Sequence, residues 1–343
     1  MKTKLILLAL ISTLNPQLST VFAQGSLTPP GAPAATMKSL AQIEPRTPVD
    51  ATHTPGSSGA SFIINQPGSY YLTTNLVGVS SKDGIEILTN NVTLDLNGFT
   101  LSGVSGSWDG INIPNAQTNI VVRNGTISGW GGGGDGVDGE SSWSFNQVFE
   151  HLNISTCGYG MFFYGAAVVR DCNCENNATH GIVIFGGGII SGCTANNNGA
   201  TGIDMANGMV LGCFAINNSQ NGILVAPGTV SGCFVQNNKY SGIYVDEPNS
   251  TVIANTCIGN NTGNFSTHAG ICINDSNNRV EDNHVTGSGH GGIQVNGSYV
   301  NNVIIKNSVS GNGANNYVVP AGNDVGPVGV AATATSPWAN ISH

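Results

Sequence analysis

Carboxylates that recur before glycines are the residues of this sequence best suited to chemistry. Asp83, Asp109 and Asp135 each stand directly before a glycine, 26 residues apart. Glu86 and Asp138 stand two positions after the first and the last of these glycines. Carboxylates about 5 Å apart repel each other by about 1 kcal/mol in water and by more when partly buried, so a fold that stacks them must raise a pKa or capture a cation. Such a pair also suits a retaining glycoside hydrolase, with one carboxylate as nucleophile and the other as acid.

The carboxylate column has three interpretations, which the sequence leaves open. Asp before Gly is favourable turn chemistry, and a repeating chain would simply repeat it. The second is a Ca²⁺ or other ligand site, with Asp83 and Asp138 as metal ligands. The third is catalysis, with Asp109 and Asp135 as an acid/base or cation-holding pair and His180, which also precedes a glycine, as a proton carrier. No cofactor other than Ca²⁺ is indicated.

Aromatic residues accompany these carboxylates. Trp108, Trp130 and Trp143 are three of the four tryptophans in the chain. Tyr159 and Phe162 follow them. Flat rings beside carboxylates suit a polysaccharide groove, and Trp108 and Tyr159 are the candidate sugar platforms. The competing interpretation is that these rings close one end of a hydrophobic core.

A repeated phrase, running from residue 84 onward, must position these side chains. It consists of a glycine, an apolar residue, any residue and usually another apolar residue. Successive repeat glycines lie 20 to 28 residues apart, and a period of this size predicts a solenoid. The repeat glycines are Gly84, Gly110, Gly136, Gly160, Gly181, Gly202, Gly222, Gly242, Gly270 and Gly292.

Each repeat also contains a second alternating apolar run, followed by paired asparagines. Val169, Cys172 and Cys174, for example, precede Asn176 and Asn177. Short alternating runs broken by turn residues indicate strands. Several strands fit in about 21 residues only if the chain winds once per repeat, so that equivalent residues stack about 4.8 Å apart. The prediction is an all-β fold, a right-handed parallel β-helix: a single-stranded solenoid of about ten coils, capped at both ends by residues 61–80 and 315–343, with Asn side chains hydrogen-bonded from coil to coil.

The repeats between about residues 84 and 312 resemble those of the pectate-lyase-like superfamily of right-handed parallel β-helices. The entry segment 64–72 (INQPGSYYL) and the closing segment 336–342 (SPWANIS) are similar to those of secreted bacterial β-helix proteins. The resemblance covers nearly the whole chain after the export signal. It implies the fold, whereas chemistry must be argued from the site, because one fold hosts many functions.

The resemblance suggests further roles that the residues support less well. Superfamily lyases use a basic residue to abstract a proton, which would fit Arg123 or Arg170. Both residues alternate with Glu150 in one column, so an ionic ladder is the favoured interpretation. His290, within Gly-His-Gly, resembles one polygalacturonase motif, but the other motifs of those enzymes are missing. Residues 133–138 fit the start of a calcium-binding nonapeptide, which occurs once and departs from the pattern at Glu140.

Eight cysteines lie between residues 157 and 272. Cys172, Cys193, Cys213 and Cys233 occupy one slot in four successive repeats, and Leu152 fills the same slot one repeat earlier. A buried stack of thiols is therefore favoured. Disulfides between neighbouring coils are the alternative, because the stacking distance and an oxidising compartment would permit them. A metal site is disfavoured, because zinc requires tetrahedral convergence.

The N-terminal residues predict export. Lys2 and Lys4, an apolar run and Val21-Phe22-Ala23 have the form of a signal peptide over residues 1–23. Residues 24–60 read as a Pro/Ser/Thr-rich linker or arm. No stretch is long and apolar enough for a membrane span. Without the signal, eight basic residues face nineteen acidic ones, a formal charge of −11. That charge disfavours nucleic acid, and also bare polyanions unless a cation bridges them.

Two functions follow from these observations. The first is a secreted or cell-surface protein that binds or processes an extracellular polysaccharide on one face of the solenoid. If this protein is an enzyme, the residues favour a polysaccharide lyase or a glycoside hydrolase. The second is a non-catalytic structural or adhesive surface protein, in which the shaft itself is the function.

Overall fold

Each repeat of the chain forms one turn of a parallel β-helix. The computed structural model describes residues 44–139 and 144–343. The predicted signal peptide, residues 24–43 of the predicted linker, Glu140 and Trp143 lie outside the described residues. Within the described ranges every regular element is a β-strand, except for one 3₁₀ helix, Ala331–Thr333. No helix in this part of the chain is long and apolar enough to cross a membrane.

Sheet I contains one parallel strand from each coil, twelve in all. Ten of them belong to the repeats that begin with a glycine. The first and last belong to end coils without that glycine, which is why the predicted count of about ten coils was slightly low. The strands are Ala60–Ile64, Asp83–Ile87, Ile111–Asn112, Val137–Gly139, Met161–Phe163, Ile182–Ile184, Ile203–Met205, Ile223–Val225, Ile243–Val245, Ala269–Ile273, Gly291–Val295 and Tyr317–Val318.

Sheet II contains 24 strands in two adjoining rows. The long strands Thr118–Ser128 and Phe145–Ser155 run through both rows. The first row also contains Thr47–Pro48, Gly68–Tyr71, Val92–Asp95, Ala167–Arg170, Gly188–Ser191, Gly208–Leu211, Gly228–Ser231, Thr251–Ile253, Arg279–Glu281, Val303–Ile305 and Asp324–Val325. The second row also contains Leu76–Val77, Thr100–Ser102, Asn173–Glu175, Thr194–Asn196, Phe214–Ile216, Phe234–Gln236, Thr256–Ile258, His284–Thr286, Ser308–Ser310, Val328–Gly329 and Asn340–Ser342.

The repeat glycine is required by close contact between coils. A Cβ atom at Gly181 would lie 2.5 Å from the carbonyl oxygen of Gly202 and 2.9 Å from Nδ2 of Asn198. These are backbone and buried amide atoms, which cannot move aside without breaking coil-to-coil hydrogen bonds. Only glycine therefore fits where sheet I begins, which explains the recurring phrase of the sequence.

The paired asparagines have two different roles. The first of a pair, such as Asn197, is exposed and has a left-handed backbone (φ 53°), which Asn tolerates better than most residues. The second, such as Asn198, is fully buried and hydrogen-bonds to its equivalent in the next coil. The predicted hydrogen bonds between stacked Asn side chains are confirmed along a ladder of Asn177, Asn198, Asn218, Asn238 and Asn260.

The core between the two sheets is a continuous column of Ile, Val and Leu, with the cysteines among them. All eight cysteines are buried and free. The predicted thiol stack of Cys172, Cys193, Cys213 and Cys233 is therefore confirmed, and no disulfide joins its members. The same slot continues as asparagine in the later coils, where the backbone N–H of Cys233 donates to Oδ1 of Asn255 at 2.9 Å.

The two ends of the shaft are hydrogen-bonded to the coils beside them. Residues 60–77, which include most of the predicted N-terminal cap, supply one strand to sheet I and one to each row of sheet II. Thr47–Pro48 pairs in parallel with Gly68–Tyr71 and is the end strand of the first row of sheet II. At the other end, Asn340–Ser342 pairs with Ser308–Ser310. Arg46–His343 form one compact unit.

Sheet II carries the ionic ladder expected from the sequence. Arg170 Nε donates to Glu150 Oε2 at 2.6 Å, and Arg123 Nη1 lies 4.0 Å from Glu150 Oε1. Arg123 Nε also lies 3.2 Å from Asp95 Oδ2. Arg123 and Arg170 are residues of sheet II strands. The aspartate column, in contrast, lies where the strands of sheet I begin.

Candidate functional site

The aspartates stack at the entrance to sheet I, and each binds the next coil. Asp83 Oδ1 accepts the backbone N–H of Asp109 at 3.0 Å, and Asp109 Oδ1 accepts that of Asp135 at 2.7 Å. Asp135 Oδ1 in turn accepts the N–H of Tyr159 at 2.8 Å. We call the positions directly before the repeat glycines the pre-glycine column. One oxygen of each aspartate in it therefore has a structural role, as the turn interpretation expects.

A compact carboxylate cluster forms beside this column. Asp109, Asp135 and Asp138 each place one carboxylate oxygen so that the three atoms lie within 4.8 Å of one another. Asp138 reaches the cluster from the outward face of sheet I and is 7% exposed. Asp83 lies one coil away, and its second oxygen accepts a hydrogen bond from Asn112 Nδ2 at 2.9 Å. The geometry thus groups the two proposed catalytic aspartates with one of the two proposed metal ligands.

Three oxygens at this spacing can do two kinds of chemistry. Ca²⁺ binds carboxylate oxygens at about 2.3–2.6 Å and fills its shell with waters or other oxygens, so three converging carboxylates are a fitting partial shell. A carboxylate pair separated by about 5 Å is also the spacing of a retaining glycosidase.

The electrostatic environment of this face is acidic. Burial raises the pKa of Asp83, and burial followed by the charge of Asp83 raises the pKa of Glu86. Of the seven basic residues in the described ranges, five pair with carboxylates on sheet II: Arg46, Arg123, Arg170, Arg279 and Lys306. Neither the pre-glycine column nor the row two residues after each repeat glycine contains Lys or Arg. A ligand on this face therefore meets several carboxylates.

Aromatic rings continue the face beyond the carboxylates. Tyr159 stacks on His180 with ring centroids 5.2 Å apart and planes 4° apart, and also contacts Phe162 at 5.0 Å. Phe162 is the register neighbour of Asp138. Tyr164 and Phe185, which are 45% and 39% exposed, pack edge-on against Phe162. These two exposed rings were missed in the sequence analysis, although each directly follows the last residue of its sheet I strand.

The tryptophans have different environments. Trp108 directly precedes Asp109 and is 50% exposed. Trp130 is fully buried, and its Nε1 donates to the carbonyl oxygen of Leu101 at 3.2 Å. It packs beneath the glycines of the first coils, as the core-closing interpretation expects. Trp108 is therefore accessible, as a candidate sugar platform must be, whereas Trp130 belongs to the core.

His180 lies apart from the carboxylate cluster. The Tyr159 rung separates it from Asp135 in the pre-glycine column, so the two residues are about 10 Å apart at a coil spacing of about 4.8 Å. Burial lowers the pKa of His180, which keeps its imidazole neutral near pH 7. Its Nδ1 atom is buried and has no hydrogen-bond partner. Direct proton exchange between His180 and Asp135 would require a bridging ligand or water.

Residues 83–228 match a protein family described as "Right handed beta helix region". This match agrees with the stacked parallel sheets. The chain has the fold of the right-handed β-helix proteins. No curated protein sequence matches the chain.

Several solved right-handed β-helix structures are similar to this one. The A-module of the Azotobacter vinelandii mannuronan C-5 epimerase AlgE6 has a TM-score of 0.57 at 16% identity, over 81% of this chain and 91% of that one. The AlgE4 A-module from the same organism has a TM-score of 0.53 at 15% identity, with the same coverage. A variant of the periplasmic alginate epimerase AlgG has a TM-score of 0.55 at 13% identity, over 86% of this chain and 80% of that one. Identities this low show the shared fold alone.

Proposed function

We propose that this protein binds or processes an extracellular polysaccharide on the outward face of sheet I. The observation that carries the proposal is the cluster of Asp109, Asp135 and Asp138, with oxygens within 4.8 Å of one another, together with the half-exposed Trp108 directly before Asp109 in the chain. Carboxylates accept hydrogen bonds from sugar hydroxyls, while aromatic rings pack against the apolar faces of sugars. The structural neighbours that share this fold are named as mannuronan and alginate epimerases, and mannuronan and alginate are polysaccharides. Their names support this class of ligand.

The acidic face restricts the polysaccharide. A bare polyuronate, such as mannuronan, would bring one carboxylate per sugar against the three clustered carboxylates of this face. The ligand is therefore neutral or cationic, or is bridged by Ca²⁺ held by Asp109, Asp135 and Asp138. In the bridged case the cation would neutralise both partners. Asp83, hydrogen-bonded inside the column, supports this site from one coil away rather than completing it.

If the protein turns its ligand over, the roles follow from position. Asp109 and Asp135 are the acid/base or cation-holding pair, and Trp108 and Tyr159 hold the sugar rings. Neutral His180 receives or supplies a proton at the ligand two coils away, through its imidazole nitrogens. Lyase and glycoside hydrolase chemistry both fit a carboxylate pair. Such a protein acts outside the cytoplasm or at the cell surface, as its N-terminal sequence predicts.

A structural or adhesive shaft is the second candidate, and one observation favours it. Each aspartate of the pre-glycine column accepts a backbone N–H of the next coil at 2.7–3.0 Å. This role would preserve the aspartates in a protein that binds no sugar. A polysaccharide site needs the negative charge of the aspartates, whereas a structural shaft needs only the oxygen that accepts the hydrogen bond.

Replacing charge while keeping the hydrogen bond separates the two candidates. The test compares glycan-array binding of the wild type with that of the Asp109→Asn/Asp135→Asn variant, in Ca²⁺ and in chelator. Asn221, at the same column position, already accepts a backbone N–H from Ser241 at 3.0 Å, so Asn preserves this contact. The control is Asp171→Asn/Asp282→Asn, which removes two charges from exposed left-handed positions away from the sheet I strands.

Binding of one polysaccharide class by wild type and control, lost in the Asp109→Asn/Asp135→Asn variant, supports the polysaccharide site. Additional loss in chelator identifies a cation-bridged ligand. Equal binding by all three proteins moves the sugar site elsewhere. No binding by wild type under either condition leaves the shaft as the function.

A further inference from the structure

The lengths of the coils identify a second elaborated region on the same face. Between Gly160 and Gly242 the repeat glycines are 20 or 21 residues apart, and then the spacing rises to 28. Most of the extra residues lie in the connection 259–268, between the strand Thr256–Ile258 and the sheet I strand that begins at Ala269. The carboxylate site has the same arrangement, since long connections precede Asp109 and Asp135. All three connections lie at the corner of the β-helix that leads into sheet I. Loops on a rigid scaffold are where binding residues concentrate.

One buried asparagine holds this loop in a defined shape. Asn261 is 0% exposed. Its Nδ2 donates to the carbonyl oxygens of Phe265 and His268, both at 2.8 Å, and its Oδ1 accepts the N–H of Phe265 at 2.9 Å. Residues 262–267 between these contacts are exposed. The loop is therefore organised from inside the core while it presents its own side chains to solvent.

The loop builds an aromatic cluster with the coil before it. His268 stacks on Tyr240 with ring centroids 4.7 Å apart and planes 18° apart, and lies 5.7 Å from the Tyr244 ring. Phe265 meets Tyr240 edge-on at 5.1 Å and is 38% exposed. Ser241 Oγ lies 3.0 Å from Nδ1 of His268 and fixes the imidazole. A tyrosine stacked on the histidine of the next coil is also the arrangement of Tyr159 and His180.

Carboxylates border this second aromatic cluster as they border the first. Tyr244 points outward from sheet I in the same row as Asp204, two coils away. Asp246 follows Tyr244 by two residues, is exposed, and accepts a hydrogen bond from Asn274 Nδ2 at 3.1 Å. Burial, and then the charge of Asp246, raise the pKa of Asp204 to about 6. Rings and carboxylates therefore occur together twice along one face.

We propose that the Phe265 loop, with Tyr240, Tyr244 and His268, forms a second saccharide-contacting site that binds the same polysaccharide chain as the carboxylate site. This inference rests on the proposed function. The strands Val137–Gly139, which contains Asp138, and Ile243–Val245, which contains Tyr244, are five coils apart in sheet I. At a coil spacing of about 4.8 Å, that separation is about 24 Å. A chain lying along the helix axis contacts both sites, whereas a short oligosaccharide contacts one.

The test uses the length dependence of binding. Affinities for a size series of oligosaccharides, from the polysaccharide class that the array identifies, are measured by calorimetry for wild type, Phe265→Ala and Phe214→Ala. Phe214 is a matched control, because it is an exposed phenylalanine (47%) on sheet II. The melting temperature of each variant confirms that it is folded.

The expected result is a rise in wild-type affinity of about tenfold or more once the oligosaccharide is long enough to reach both sites, since the second contact is then intramolecular. The ratio of long-chain to short-chain affinity falls towards one in Phe265→Ala and stays at the wild-type value in Phe214→Ala. A wild-type ratio retained by Phe265→Ala, or no rise with length in wild type, overturns the second site and leaves the first intact. No binding of any length by wild type overturns the proposed function and this inference together.

Discussion

Oδ1 of Asn218 accepts two hydrogen bonds from Asn198, one from its backbone N and one from its Nδ2, both at 3.0 Å. Asn218 repeats the arrangement one coil further, donating from the same two nitrogens to Asn238. Each buried Asn thus satisfies the N–H groups of a chain that turns a corner without a strand partner. The ladder converts a polar turn, which would otherwise be costly to bury, into a fully hydrogen-bonded part of the core.

Removing one rung of this ladder should destabilise the whole shaft. Asn218→Ala leaves the backbone N–H of Asn198 without an acceptor in a buried environment, and the Nδ2 of Asn198 keeps only the carbonyl oxygen of Cys174, at 3.1 Å. We expect the free energy of unfolding to fall by about 2–4 kcal/mol. Urea unfolding followed by circular dichroism measures the change. The neighbouring substitution Asn217→Gly is the control, because Asn217 is exposed at φ 56° and glycine adopts that conformation easily. Equal losses in both variants would contradict the ladder's role.

Substitutions at Asp135 should show whether its hydrogen bond or its charge affects the stability of the shaft. Asp135→Asn keeps an oxygen for the N–H of Tyr159, while it removes one of three neighbouring charges. We therefore expect an unchanged or slightly raised melting temperature at pH 7. Asp135→Ala removes the acceptor and should cost about 1–2 kcal/mol. Differential scanning calorimetry of both variants measures these effects, and a clear loss of stability in Asp135→Asn would show that the charge itself stabilises the coils.

Asp204 should make stability depend on pH. Burial and the charge of Asp246 raise its pKa from 3.8 to about 6 in the folded protein. The folded state therefore binds the proton of the Asp204 carboxyl more tightly than the unfolded state does. The stabilising effect of this protonation is complete below about pH 4 and is lost as the pH rises towards 6. Asp204→Asn should remove that decline, which amounts to at most about 3 kcal/mol. Unfolding free energies at pH 4 and pH 7 measure it, with Asp282→Asn as an exposed control. An unchanged pH slope in Asp204→Asn would refute the assignment.

The cysteines should be unreactive until the shaft unfolds. All eight are at most 2% exposed, and burial raises the pKa of Cys157 and of Cys272 to about 12. Because the thiolate is the reactive form, native protein should not react with an aromatic disulfide reagent at pH 8. Without reductant, all eight thiols should react in denaturant. Fewer than eight would mean that neighbouring coils are joined by disulfides.

Much of the candidate site follows from residue spacing, but its membership does not. The spacing of Asp109 and Asp135 predicts that they stack, because equivalent residues of a solenoid occupy equivalent places. Asp138 joins them only because the outward row of sheet I runs close to the pre-glycine column at this coil. Trp108 and Trp130 have similar sequence surroundings, yet one is exposed and the other fully buried. That difference depends on how far each connection reaches over the first coils, which no periodicity encodes.

By itself, the sequence determined the period, the fold class and the inward or outward direction of most side chains. A repeat imposes these features locally, since glycine, asparagine and alternating apolar residues each require one backbone geometry. Only the tertiary structure decided how the long connections fold, that Tyr164 and Phe185 extend the aromatic face, and that Tyr240, Phe265 and His268 meet. The physical reason is that these contacts join residues from different coils through irregular loops, whose conformations are set by packing and hydrogen bonds such as those of Asn261 rather than by a repeated pattern.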